Sequence, residues 1–183
     1  MKLNDAFLHD VLDKISHMSY YMYSDDEQEV QMIGVEVTGG VKKDRELAEE
    51  IVWFCLEKML PRHRALNITV LLTKTYEEGA KGFCYQEDDD RDFVIEIDHR
   101  LTKIEGVEEF IDTVCHEMIH VKQHATKKLI DRIRGGYKKL WKCRDGKYRN
   151  YLETAYDKQP WEIEAHRDSG KYMRAFKKEF YGY

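Results

Sequence analysis

Residues 107–125, VEEFIDTVCHEMIHVKQHA, limit the fold more than any other stretch. Phe110, Ile111, Val114, Met118 and Ile119 recur at three-and-four spacing, so the segment reads as a helix with an apolar stripe that belongs in a core. The same helix carries His116, Glu117, His120 and His124. They read either as a metal site or as surface histidines on an ordinary charged helix.

His116 and His120 stand four residues apart, on one helix face, where both imidazoles can reach a single ion. Glu117 lies beside them. In such an HExxH pattern the histidines bind zinc and the glutamate deprotonates a water that the metal has made acidic. His124 is eight residues beyond His116, a rise of about 12 Å, too far to share the ion on a continuous helix. A metzincin continuation is excluded, because Gln123 and Thr126 occupy the positions where it would place glycine and a further histidine.

The surrounding chain reads as α+β. Leu8, Val11, Leu12, Ile15 and Met18 suggest a helix over 5–18, and QMIGVEV (31–37) has strand character up to Gly39-Gly40. A helix starting near Asp44 carries Leu47, Ile51, Phe54, Cys55, Met59 and Leu60 and ends at Pro61. NITVLLT (67–73) is apolar enough for a strand buried on both faces, KGFCYQ (81–86) reads as another strand, and FVIEIDH (93–99) alternates as a strand leading to the histidine helix. The stretch after it reads as a short helix and a loop containing Tyr137, Trp141, Tyr148 and Tyr151. Pro160 opens a last helix, with Gly170 weakening its middle. The expected organisation is one domain: helices and a strand over 1–62, sheet and HExxH helix over 67–126, a basic insertion over 127–156 and a ligand helix over 159–181.

The 183 residues include 4 cysteines without a CxxC pair, which argues against a zinc ribbon or a disulfide scaffold and for packed thiols. Without a long apolar run the expected setting is aqueous and cytoplasmic, with no membrane partner. The formal net charge is -5, yet residues 122–149 hold 11 Lys and Arg against Asp131 and Asp145. Such a basic block, interleaved with Tyr137, Trp141 and Tyr148, suits nucleic acid, by phosphate contact and base stacking. It equally suits an ordinary solvated face.

A third metal ligand has to come from elsewhere, and PWEIEAH (160–166) offers Glu162, Glu164 and His166. Glu162 and His166 share a helix face and Glu164 points to the other side. HEMIH followed by EIEAH resembles the gluzincin metallopeptidases, above all small zincin-like domains of bacteria and phages related to ImmA/IrrE. The SprT/Spartan family is a second resemblance, though its third histidine soon after the motif has no counterpart between His124 and His166. The gluzincin resemblance implies a zincin-like fold, Zn2+ held by His116, His120 and Glu162, and peptide hydrolysis with Glu117 as general base. It leaves Glu162 and Glu164 as alternatives for the third ligand. His166, Tyr148, Tyr151 and Tyr156 are candidates for a catalytic oxyanion donor. The substrate would be a protein or peptide, pairing with the strand 93–98 as an exposed sheet edge.

Overall fold

The structure, a computed structural model, describes residues 33–74, 80–87, 89–132 and 136–182, all within the compact unit Gln31–Tyr183. The helix expected over 5–18 lies outside the described residues. Four strands form a mixed sheet: β1 (Gly34–Gly39), β2 (Asn67–Thr73), β3 (Gly82–Gln86) and β4 (Asp92–Asp98), in the order β1-β2-β4-β3. β1, β2 and β4 run parallel, and β3 pairs antiparallel with β4. The helices are α1 (Lys42–Met59), α2 (Leu101–Ile104), α3 (Val107–Ala125) and α4 (Pro160–Tyr181). The chain is thus α+β, and no helix among the described residues is long and apolar enough to cross a membrane.

The alternation of β2 and β4 decides the layering. Ile68, Val70 and Leu72 of β2, and Phe93, Ile95 and Ile97 of β4, are buried, while Thr69, Leu71, Val94 and Glu96 between them are half-buried. β2 is therefore fully buried on one face rather than on both, as its run of apolar residues had suggested. The buried face joins one core with Ile51, Val52 and Cys55 of α1, Ile111, Val114 and Met118 of α3, and Ala165 and Phe176 of α4. Removing such a side chain, as in Ile51→Ala, costs roughly 2–5 kcal/mol in a packed core. This core fixes the rotation of α3 and α4 about their axes, and so the direction of every side chain they carry.

α3 starts at Gly106, whose φ of 99° favours glycine, and runs unbroken through the histidine motif. Pro160 occupies the first turn of α4 as its fixed φ predicts. Gly170 does not interrupt that helix. A Cβ there would meet Arg174 of the same helix at 3.3 Å and Asp112 Oδ1 of α3 at 3.9 Å, an ordinary contact distance.

Residues 127–156 differ from expectation. In place of a short helix and loop, β5 (Leu129–Arg132), β6 (Lys138–Lys142) and β7 (Tyr148–Asn150) form an antiparallel sheet in that order. The signals are a two-residue alternation and the Asp145-Gly146 turn, with Gly146 at φ 78°. Leu129 and Trp141 are cross-strand partners that pack on Trp161 of α4, forming a small second core. Pairing in register puts Arg132, Lys138, Lys142 and Tyr148 on the opposite face, where they are exposed. The four cysteines are free; buried Cys55 and Cys115 face one another across α1 and α3 at 3.9 Å.

Candidate metal centre and active site

α3 points His116 and His120 toward the start of α4, and α4 returns Glu162 to meet them. The two Nε2 atoms are 3.2 Å apart, and Glu162 Oε2 is 3.4 Å from that of His116 and 3.5 Å from that of His120. A tetrahedral ion with bonds of about 2.0–2.1 Å has ligand–ligand edges of roughly 3.3 Å. The three atoms outline one face of such a tetrahedron.

Their bonding points the same way. Glu162 Oε2 is buried without a hydrogen-bond partner, a costly arrangement unless a cation receives it. Gln123 explains the tautomer of His120. Its Nε2 donates to the Trp161 carbonyl and to Glu164, both at 3.1 Å, so its Oε1 must face His120 Nδ1, 2.9 Å away, as an acceptor. The His120 proton then sits on Nδ1, and Nε2 keeps its lone pair. Among the described residues, His116, His120 and Glu162 form a group that could hold a metal ion. No family model, curated protein or solved structure matches this chain.

Electrostatics within the group are mutually dependent. Burial lowers the pKa of His116, whereas His120, though still more desolvated, is raised because Glu162 and Glu117 outweigh its burial. Burial would raise Glu162, but contact with His116 and His120 holds it well below the usual carboxylate range. Glu162 therefore presents a full negative charge. Glu117 is different: burial pushes its carboxyl up to about 7, near the value at which a carboxylate both takes and returns protons at neutral pH.

Glu117 faces the start of β3. A Cβ on Gly82 would lie 2.9 Å from Glu117 Oε1, so glycine leaves the carboxylate its place. The pocket is about 660 Å³ and is lined by Gly82, Cys84, His116, Glu117, His120 and Glu162, among others. That size suits a small ligand or a few residues of a chain.

Other expected residues are sorted by the fold. Glu164 turns away from the histidines, bonding Gln123 and pairing with Lys128 at 2.6 Å, so it braces the Glu162 arrangement from behind. His166 lines the pocket with its ring 4.6 Å from that of His116, and Tyr156 lines it as well. Burial and the adjacent Glu162 raise the Tyr156 phenol; its ring is mostly exposed, so the shift belongs to the hydroxyl end near Glu162. Tyr148 and Tyr151 do not line the pocket: the Tyr148 hydroxyl donates to the Lys127 carbonyl, and Tyr151 packs at Cys143. His124 is buried beside Phe93 and remains outside the ligand group. The strand expected as a docking edge, β4, is interior, paired on both sides; β3 is the outer strand next to the site. Gln123 was missed as a participant, although its i+3 spacing from His120 was a readable signal.

Proposed function

We propose that this chain is a zinc-dependent peptidase of zincin-like design, with His116, His120 and Glu162 as ligands and Glu117 as general base. The observation that carries the reading is the triangle of donor atoms with edges of 3.2, 3.4 and 3.5 Å, beside a carboxyl poised near neutrality. Two imidazoles and one carboxylate leave an open position, the arrangement of catalytic rather than structural zinc.

Zinc bound there supplies Lewis acidity and acidifies water. Glu117 takes the proton of the attacking water and returns it to the departing amine, a double use that its raised pKa favours. His166 and Tyr156, which line the pocket with Glu162, would donate to the carbonyl oxygen as it gains charge. Gln123 keeps His120 in the ligating tautomer. The substrate backbone would run beside β3, the strand that ends the sheet order among the described residues and whose start faces Glu117.

The test is elemental analysis together with peptide hydrolysis. Wild type should carry about one zinc per chain and Glu162→Ala should lose it. Glu117→Gln should keep the metal while hydrolysis falls on the order of 10³-fold. Unchanged turnover in Glu117→Gln, or a wild type that takes up no metal on reconstitution, overturns the proposal.

A further inference from the structure

Of the described cations in the basic segment, only Lys139 lines the pocket. It projects from β6 on the inner face of the small sheet, with Trp141 two residues on and Asp131 opposite on β5. Its ammonium lies over the Trp161 ring, 5.1 Å from the centroid. Trp161 follows Pro160 at the start of α4 and directly precedes Glu162, so a single turn carries both this ring and a metal ligand.

The surroundings of Lys139 leave its charge available. Among the described residues it has no ion-pair partner, unlike Lys128, which pairs with Glu164, and Lys81, which is held by Glu105 and Glu109. Asp131, its cross-strand neighbour, makes no ion pair with it and accepts a hydrogen bond from Tyr137 at 3.2 Å. Lys139 and Asp131 act in opposite senses at His124 and Cys84, two other lining residues of the pocket, with Asp131 the stronger at His124 and Lys139 the stronger at Cys84. Leu129 and Trp161 form the apolar wall beside it. A half-buried cation above an aromatic ring and beside aliphatic surface is a receptor for a carboxylate on a short apolar stem.

We infer that Lys139 forms a selectivity subsite for a carboxylate of the substrate, borne on a glutamate or aspartate side chain or at a free C-terminus near the reacting bond. The inference rests on the peptidase reading for the bond that is cut, but not for the binding preference itself. The two lysines that line the pocket are not equivalent. Lys81 is paired with two glutamates and Lys139, among the described residues, with none, so an acidic group is drawn to the lysine that lies over Trp161.

Affinities of zinc-loaded Glu117→Gln chain, measured with short fluorescent peptides, test this without turnover. Three otherwise identical peptides suffice: Glu with an amidated end, Gln with an amidated end, and Gln with a free carboxyl end. The Glu peptide or the free-carboxyl peptide should bind about tenfold tighter than the neutral one, and the arm that gains identifies the source of the carboxylate. Adding Lys139→Met should remove the preference while leaving the neutral peptide's affinity within about twofold. Lys139→Glu should invert the preference toward a Lys peptide, and Asp131→Asn should sharpen it. Equal affinity for all three peptides, no binding of any, or a preference that survives Lys139→Met overturns the inference. A preference that depends on Lys139 in a wild type that cuts none of the peptides would instead sink the peptidase reading and leave the subsite standing.

Discussion

The two sheets position chemistry of different kinds. The four-stranded sheet buries one face against α1, α3 and α4, and so fixes the helices that carry His116, Glu117, His120 and Glu162. Among the described residues the three-stranded sheet rests on a small buried cluster of Leu129, Trp141 and Trp161, and it contributes Lys139 to the pocket wall. The difference teaches that a reaction centre needs directions held by a large core, because errors of an ångström cost orders of magnitude in rate. A recognition subsite needs only charge and shape, and a few cross-strand pairs supply those. Changes in the first region should therefore alter metal binding and rate, and changes in the second should alter stability at the seam and affinity.

The seam itself gives the largest expected effect. His124 lies on α3 with its ring 6.4 Å from Phe93 of the large sheet, and it feels Asp131 and Lys139 of the small one. Burial pushes its pKa down to about 4, with Asp131 opposing and Lys139 adding to the shift. In the unfolded chain a histidine titrates near 6.5. Below that value the unfolded state binds a proton that the folded state refuses. Stability is thus complete above about pH 6.5 and declines as the pH falls toward 4, by about 3 kcal/mol in all. Comparing urea unfolding of the metal-free wild type and His124→Leu at pH 7.5 and 4.5 checks this. The wild type should lose more stability on acidification than the variant; equal losses would mean that the folded chain does not hold His124 neutral by burial.

Part of this division could be read before any coordinates. α3 matched its apolar period because a long amphipathic helix is dictated locally, and the HEMIH spacing placed both imidazoles on one face for the same reason. Glu162 and Glu164 stayed equivalent in sequence. Packing separated them: the core-facing turn of α4 brings Glu162 to the histidines and gives Glu164 to Gln123 and Lys128. The small sheet was missed because its strands have 3 to 5 residues, short enough for charged side chains to mask the alternation. Nor could alternation within FVIEID reveal that β3 folds back to cover its edge, since edge and centre are properties of the assembled sheet.

A sharper cut through the comparison is Gln123→Leu, which acts on the metal without touching it. Leucine keeps the bulk but no longer accepts the His120 Nδ1 proton, nor donates to the Trp161 carbonyl and Glu164. Loss of such a support typically weakens metal affinity 10- to 100-fold. Competition with a zinc-chelating dye should read that change, while thermal unfolding of the metal-free chain moves by only a few degrees. Gln123→Glu should recover much of the affinity, since a carboxylate still accepts from His120. Equal zinc affinity in wild type and Gln123→Leu would show that the large core alone sets the orientation of the ring.

The smallest expected effect isolates direction from charge. Gly82→Ala adds one methyl at the beginning of β3, where it would meet Glu117 Oε1 at 2.9 Å and Ile97 Cδ1 at 3.0 Å. Both are ends of flexible side chains, so the strand can persist while the carboxylate rotates aside. Metal content should not change, because Glu117 is outside the group of ligand atoms. Hydrolysis should fall by roughly tenfold through kcat, in keeping with a base displaced by a fraction of an ångström. A rise in KM with kcat unaltered would place the added methyl against the substrate along β3 rather than against the base. Either result localises the step that the rigid region controls, because no group of the small sheet is touched.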